Sequence, residues 1–190
     1  MLPCKGLIVT QNQTIIDSCR QWVEKVIVGL NFCPFAKPVV ESGKVSCSVV
    51  NERSFEHCLQ ALSDELNRLY DDNSVETSLL IYPVGFEAFD DYLELAGIAD
   101  ELLIEEGFEG VFQLATFHPD YCFEGQVYDD AANYTNRSPY PILHILREAS
   151  VEKALESVAN PDKIPNRNIE FARAKGLDEM KALLADCKRT

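Results

Sequence analysis

The 190-residue chain is short of basic residues and of long apolar runs. It carries 17 Lys and Arg against 31 Asp and Glu, a formal net charge of -14, and its few basic residues are not clustered. Nucleic acids are bound by clustered Lys and Arg, so the sequence disfavours a nucleic-acid partner. No segment is long enough to span a bilayer, and the start "MLPCKGLIVTQNQT" does not resemble a signal peptide. We therefore expect a cytoplasmic protein with no membrane partner.

Several catalytic and cofactor motifs are also missing. The sequence has no G-x-G-x-x-G or P-loop phosphate cradle, no H-E-x-x-H and no G-x-S-x-G. Its seven cysteines are odd in number and form no C-x-x-C pair, which argues against a disulfide framework or a zinc ribbon. Cys33, His118, Asp120 and His144 are chemically able to bind zinc, but no local ligand spacing supports a metal site. No cofactor is indicated.

The composition is that of one globular domain. Hydrophobic residues make up 46% of the chain and charged residues 25%, and no linker or repeat divides it. We expect a single domain over 1–190, with the informative motifs between 22 and 169. Residues 1–12 are predicted to be a poorly ordered or edge segment.

The spacing of apolar residues predicts an α/β (or α+β) fold. Residues 14–30 have helical spacing behind a Thr14-x-x-Asp17 capping box, and a second helix begins near Ser54. We expect three parallel strands in βαβαβ order, with helices covering the sheet. The predicted strands are 44–50, 77–83 and 110–117, and a third helix spans roughly 87–106 with a break near Gly97.

The pattern fails after residue 117 and resumes only at "ILHIL". Periodicity does not decide between a strand and a helix for 142–147. We favour a fourth, antiparallel strand, because Ser150 resembles the cap of a following helix. The 118–141 loop is long for a compact domain and rich in aromatic residues, so it is predicted to fold against the domain and to carry function.

His118 and Asp120 directly follow the third predicted strand, where ligands bind in open α/β sheets. One hypothesis makes His118 a general acid/base oriented by Asp120. The alternative is a histidine that caps the strand by bonding to a backbone carbonyl.

Arg137 is flanked by hydrogen-bonding side chains and could grip a carboxylate or phosphate in bidentate fashion. The alternative is a staple, in which Arg137 pairs with Asp129 or Asp130 within the loop. Tyr134, Asn136 and Ser138 are candidate ligand-binding neighbours.

Four further candidate ligand-binding residues, Asn31, Lys37, His144 and Arg147, and the candidate nucleophile Cys33 lie outside this loop. Asn31 is suited to the left-handed end of the first helix, which places Cys33 in a turn near Lys37 as a candidate nucleophile or a buried, inert thiol. His144 and Arg147 follow the loop, and for His144 a bond to the backbone is the simpler interpretation.

Three segments, "GLNFCPFAK", "ATFHPDYCFEG" and "NYTNRSPYPILHILRE", resemble an uncharacterised family, domain of unknown function 1415. The resemblance runs from about Trp22 to Ile169 and implies a shared fold but no reaction. The motif positions are Asn31, Cys33 to Ala36, Phe117 to Tyr121, Asn133, Thr135 to Pro139, Pro141, His144, Arg147 and Glu148.

Two functions remain open from the sequence. The first is an enzyme acting on a small anionic metabolite, with His118, Asp120 and Cys33 as catalytic residues and Arg137 and Arg147 as anion clamps. The second is a non-catalytic module that binds a ligand or a protein through the 118–141 loop. The enzyme requires His118, Cys33 and Arg137 to converge on one pocket. The substrate and the oligomeric state are left open.

Overall fold

The computed structural model describes residues 5–156 and 158–188. The helices are α1 (Lys5–Trp22), α2 (Ala36–Glu41), α3 (Phe55–Asp71), α4 (Phe89–Glu105), α5 (Glu148–Leu155), α6 (Ile164–Lys175) and α7 (Leu177–Cys187). The strands are β1 (Val45–Val49), β2 (Thr77–Ile81), β3 (Phe112–Phe117) and β4 (Ile142–Arg147). A π-helical segment (Val23–Val28) extends α1, and short 3-10 helices cover Ala131–Thr135 and Pro161–Lys163. No helix of this described part is long and apolar enough to cross a membrane.

The four strands form one mixed sheet in the order β1-β2-β4-β3. β1 and β2 pair in parallel, whereas β4 is antiparallel to both of its neighbours. The predicted antiparallel fourth strand is confirmed. The predicted βαβαβ unit of three parallel strands is not, because β4 inserts between β2 and β3 and only β1 and β2 are parallel neighbours. β3 still points the same way as β2, since both lie antiparallel to β4.

Helices cover both faces of the sheet. On one face α3 and α4 bury a leucine-rich core against Leu80, Leu143 and Ile145. On the other face α1, the π-helical segment and α7 pack on Leu79 and Ile81. The side chains of successive strand residues point to opposite faces of the sheet, so neighbouring residues of one strand pack into different hydrophobic cores. Both faces of β2 are covered, and all five of its residues are buried.

Local sequence explains where α3 begins and where the first helical segment ends. Ser54 is the N-cap of α3, and its side chain accepts a hydrogen bond from the His57 N–H. Asn31 has a positive φ of 55°, which stops the first helical segment as predicted. The α3 start and the Asn31 turn are confirmed.

Other helix boundaries differ from the predictions. The first helix already begins at Lys5, so Thr14 is not a cap and instead donates to the Thr10 carbonyl one turn back. Residues 5–12 are its first turns, while residues 1–4 of the predicted N-terminal segment lie outside the described residues. α4 runs through Gly97 without a break. α5 starts at Glu148, so Ser150 lies inside that helix and does not cap it.

Candidate functional site

The 118–141 loop leaves the sheet at the edge where β2 and β3 end and β4 begins. The ladders pair Ile81 and Phe117 with Ile142 at this edge. Buried Tyr92 of α4 holds the edge together: its hydroxyl donates to the Ile142 carbonyl at 2.6 Å and accepts from the Phe117 N–H at 3.2 Å. Both ends of the loop are therefore fixed by a side chain from the helical layer.

His118 is fully buried, and both of its ring nitrogens are bonded to backbone. Its Nδ1 accepts from the Asp120 N–H at 3.0 Å, so Nε2 carries the proton and donates to the Phe86 carbonyl at 2.9 Å. The ring also packs against Phe89 and Tyr92. Burial lowers the pKa of His118 from its ordinary value. This is the geometry of a neutral histidine that joins two backbone segments.

Asp120 contacts His118 through its backbone and not through its carboxylate. One carboxylate oxygen of Asp120 instead accepts from the Tyr128 hydroxyl at 2.6 Å. This bond raises the pKa of Tyr128, because a nearby carboxylate disfavours the phenolate. Asp120 therefore ties the start of the loop to residue 128.

Asn133, in the Ala131–Thr135 helix, is fully buried and organises the middle of the loop. Its side-chain oxygen accepts from the Phe123 N–H at 3.1 Å. Its amide group donates to the carbonyls of Val127 and Tyr128, each at 3.0 Å. A single amide thus binds three backbone groups of the segment 123–128.

Arg137 is 3% exposed, and its guanidinium completes the same arrangement. Nε donates to the Tyr121 carbonyl at 3.0 Å and Nη2 to the Tyr128 carbonyl at 2.9 Å. The rings of Tyr128 and Tyr134 lie 4.4 and 4.7 Å from the guanidinium carbon, within cation–π range. Arg137 therefore staples the loop through its backbone carbonyls, and not through an ion pair with Asp129 or Asp130 as the alternative predicted.

The other loop candidates also bond to backbone. Asn136 donates to the Thr116 carbonyl on the outer edge of β3, and Ser138 donates to the Tyr140 carbonyl at 2.5 Å. The Trp22 indole of α1 donates to the Arg137 carbonyl at 3.0 Å. Polar side chains along the loop therefore serve to fix its path.

Two ion pairs connect the loop to the C-terminal helices. Arg173 of α6 pairs with Asp130 at 2.6 Å and donates to the Gln126 side chain at 3.0 Å. Lys181 of α7 lies 3.3 Å from Asp129. Exposed pairs of this kind stabilise little individually, but they add attachment points on the solvent side of the loop.

These bonds leave one exposed segment of the loop, residues 124–129 ("EGQVYD"), which we call the tip. All six residues of the tip are exposed, whereas all of 131–139 except Asn136 are buried. Val127 is 71% exposed and Tyr128 53% exposed. Two large apolar side chains are thus displayed on a loop whose backbone is bonded from several directions.

Arg147 and His144 of β4 do not join this site. Arg147 lies at the opposite end of β4, where its Nη2 donates to the carbonyls of Leu69, Asp72 and Val75. His144 bonds through Nε2 to the Thr77 hydroxyl at 2.6 Å. Burial lowers the pKa of His144 to about 4.

Cys33 lies in the turn between the π-helical segment and α2. It is half-buried, and burial raises the pKa of its thiol. The neighbouring Lys37 is exposed and lies 3.8 Å from Glu41, and the Asn31 carbonyl accepts from Arg167 of α6. No hydrogen bond within the described residues joins Cys33 to His118 or Arg137.

Comparison with known proteins places the chain in a family. Residues 14–182 match the family model described as "Protein of unknown function (DUF1415)". The chain belongs to the DUF1415 family. No curated protein and no solved structure matches it. Family membership therefore assigns no reaction to this chain, and its function has to be inferred from the geometry of the site.

Two concavities of the described part of the chain lie away from His118, Cys33 and Arg137. A concavity of about 520 Å³ lies between residues 158 and 170, and one of about 150 Å³ lies beside β1. Neither is lined by His118, Cys33 or Arg137. No group of three His, Cys, Asp or Glu side chains among the described residues is arranged to hold a metal ion.

Sequence reasoning missed the residues that the loop displays and part of what holds it. From the sequence, Asn133 is only a motif position and Trp22 only marks the start of the resemblance. The segment around Asn133, "DDAANYTNRS", is mostly polar, so nothing in it marks the amide as buried. Val127 gives no signal either, because exposure of one apolar residue depends on the fold around it.

Proposed function

We propose that this DUF1415 protein is a non-catalytic protein-binding module whose recognition element is the tip, residues 124–129. One observation carries the proposal: Val127 and Tyr128 are exposed on a loop whose conformation is fixed by buried motif residues. Apolar and tyrosine side chains on a rigid loop lose little entropy on binding, and tyrosine is enriched at binding hot spots.

The bonding of the buried motif residues supports this function. Asn133 and Arg137 both donate to the carbonyl of Tyr128, the most exposed aromatic residue of the loop. Asp120 accepts from the hydroxyl of the same residue. Asn133, Arg137 and Asp120 thus converge on the backbone and side chain of Tyr128.

The charge of the tip indicates the kind of partner. Exposed Glu124 precedes Val127 and Tyr128, and exposed Asp129, which is paired with Lys181, follows them, in a chain with a net charge of -14. Complementary potentials steer association and exclude wrong partners. The partner is therefore a protein with an apolar cleft and basic residues around it.

Affinity capture with two matched variants tests the proposal. Val127→Asp places a charge at the tip, and Ile104→Asp places the same charge on α4, where Ile104 is 54% exposed. Immobilised wild type and Ile104→Asp should retain a common protein from a lysate of the source cells, and Val127→Asp should lose it. Equal capture by all three would reject the proposal.

The acid/base hypothesis remains a prediction without a supporting contact. His118 would have to break a backbone bond to exchange a proton, and the Arg137 donors Nε and Nη2 already bond to carbonyls. A thermal-shift titration with small anionic metabolites tests it. Stabilisation of the wild type that an Arg137→Ala variant loses would favour the enzyme over the binding module.

A further inference from the structure

β1 lies at one edge of the sheet, and its outer side is open. The Val50 N–H donates to the Ile81 carbonyl, and the Lys44 carbonyl accepts from the Thr77 N–H. Backbone groups alternate along a strand, so the even-numbered residues face β2 and Val45, Cys47 and Val49 face outwards. Within the described residues, no hydrogen bond reaches the outward N–H and C=O groups of these three residues.

The other edge of the sheet is different. β3 points its even-numbered residues outwards, and two of these are occupied: the Phe112 N–H donates to the Phe108 carbonyl, and the Thr116 carbonyl accepts from Asn136. Exposed edges are usually blunted by charges, proline, bulges or covering segments. β1, "VSCSV", contains no charge, proline or glycine, and all five of its residues are half-buried.

We propose that β1 is a dimerisation edge that pairs in antiparallel fashion with β1 of a second copy of this chain, about a two-fold axis at Cys47. This pairing places Cys47 opposite its own counterpart and Val45 of each copy opposite Val49 of the other. The outward groups of all three residues are then bonded in a continuous eight-stranded sheet, twice the four strands of one chain.

The side chains of β1 suit this symmetric register. Val45, Cys47 and Val49 share the face that carries α1, so apolar side chains meet apolar side chains across the axis. On the other face Ser46 and Ser48 meet each other. β-branched pairs directly opposite one another stabilise antiparallel strands.

Charges at the two ends of β1 favour antiparallel pairing with β1 of a second copy over parallel pairing or pairing with an unrelated acidic segment. Exposed Lys44 precedes the strand, and exposed Glu52 follows it. The two-fold axis brings Lys44 of one copy diagonally beside Glu52 of the other, at both ends of the interface. Two copies of this acidic chain repel each other overall, and the two Lys44–Glu52 pairs oppose that repulsion. They also favour the antiparallel orientation of the two β1 strands.

A cavity beside the edge offers room for a side chain of the added strand. It has a volume of about 150 Å³ and is lined by the apolar Val23, Val40, Val45, Cys47 and Leu79, by Gly43 and by the charged Arg20 and Glu24. Strand addition gains affinity from main-chain bonds and specificity from pockets beside the edge. Here the occupant would be a valine of the second copy.

Sedimentation equilibrium of the full chain over a wide concentration range tests the dimer. The wild type should move from the 21.4 kDa monomer towards twice that mass. Ser48→Lys puts an ammonium beside Ser46 of the other copy, which already receives the Arg68 guanidinium at 3.1 Å, and should remain monomeric. Ser150→Lys, the same change at a half-buried position on α5, should dimerise like the wild type.

Amide exchange measured by NMR keeps the test independent of any folding defect in a variant. Raising the wild-type concentration should slow exchange at Val45, Cys47 and Val49 severalfold and leave Leu114 on the β3 edge unchanged. A wild type that stays at 21.4 kDa up to its solubility limit would overturn the proposal. So would a dimer that Ser48→Lys leaves intact, or one that does not protect these three amides.

Discussion

Replacement of Asn133 by aspartate is the sharpest perturbation of the loop, because it alters two hydrogen bonds and almost no volume. The Asn133 amide donates to the Val127 and Tyr128 carbonyls at 3.0 Å in a fully buried position. A carboxylate oxygen there would face two carbonyl oxygens with no proton between them. The remaining oxygen can still accept from the Phe123 N–H.

The expected loss follows from these contacts. Two donated bonds contribute about 1 kcal/mol each, while the Val127 carbonyl still accepts from the Asp130 N–H and the Tyr128 carbonyl from Arg137. A buried carboxylate facing carbonyl oxygens adds more, partly offset by the Arg137 guanidinium that shares the Tyr128 carbonyl, so we expect the free energy of unfolding to fall by about 2–4 kcal/mol at pH 7. Asn67→Asp is the matched control, since exposed Asn67 donates to the Ser63 carbonyl at 2.9 Å and should lose under about 1 kcal/mol.

The loss of stability in Asn133→Asp should depend on pH in a defined direction. Burial and the two facing carbonyl oxygens should raise the folded-state pKa of the introduced carboxyl above its unfolded value of about 3.9 by more than the nearby Arg137 guanidinium lowers it. Above that unfolded pKa, the folded variant keeps a proton that the unfolded chain has lost, so the penalty grows with pH until the folded carboxyl ionises. Urea unfolding should show a penalty at least about 1.4 kcal/mol smaller at pH 4.5 than at pH 7.5. A penalty equal to that of Asn67→Asp, or one independent of pH, would refute the assigned role of Asn133.

Three further predictions concern single side chains. Tyr92→Phe removes the hydroxyl that bridges the Ile142 carbonyl and the Phe117 N–H, and urea unfolding should show a loss of about 1–3 kcal/mol. Because the pKa of His144 is lowered to about 4, the folded state binds fewer protons than the unfolded chain between pH 6.5 and 4. The contribution of His144 to the free energy of unfolding is therefore present above pH 6.5 and falls by about 1–3 kcal/mol as the pH drops through this window. His144→Gln should remove this pH dependence. Cys33 should react with a mild alkylating agent near pH 7 no faster than a model thiol, because burial raises its pKa, and rapid labelling abolished by Lys37→Ala would contradict this.

The elements that sequence predicted well are those with local causes. Ser54 caps α3 by a bond three residues away, and Asn31 adopts a left-handed conformation that asparagine tolerates better than most residues. The buried run of β2 is readable from its apolar composition alone. None of these features needs knowledge of distant contacts.

The elements that were missed depend on contacts far apart in sequence. β4 inserts between β2 and β3 because the 118–141 loop returns along one particular path, and that path is fixed by bonds such as Trp22 to the Arg137 carbonyl, 115 residues apart. The same holds for Arg147, whose carbonyl partners lie more than 70 residues away. Sequence correctly marked the loop as special, but an arginine among polar neighbours has the same pattern whether it binds an anion or its own backbone.

The central claim is that the buried DUF1415 motif residues hold the tip in place for a protein partner. The most direct test is a titration of the captured partner against wild type, Val127→Asp and Ile104→Asp, with thermal unfolding of each. We predict at least a tenfold loss of affinity for Val127→Asp, about 1.4 kcal/mol, with its melting temperature and the affinity of Ile104→Asp unchanged. Equal affinity of all three chains, or a loss that tracks only their stability, would contradict the account.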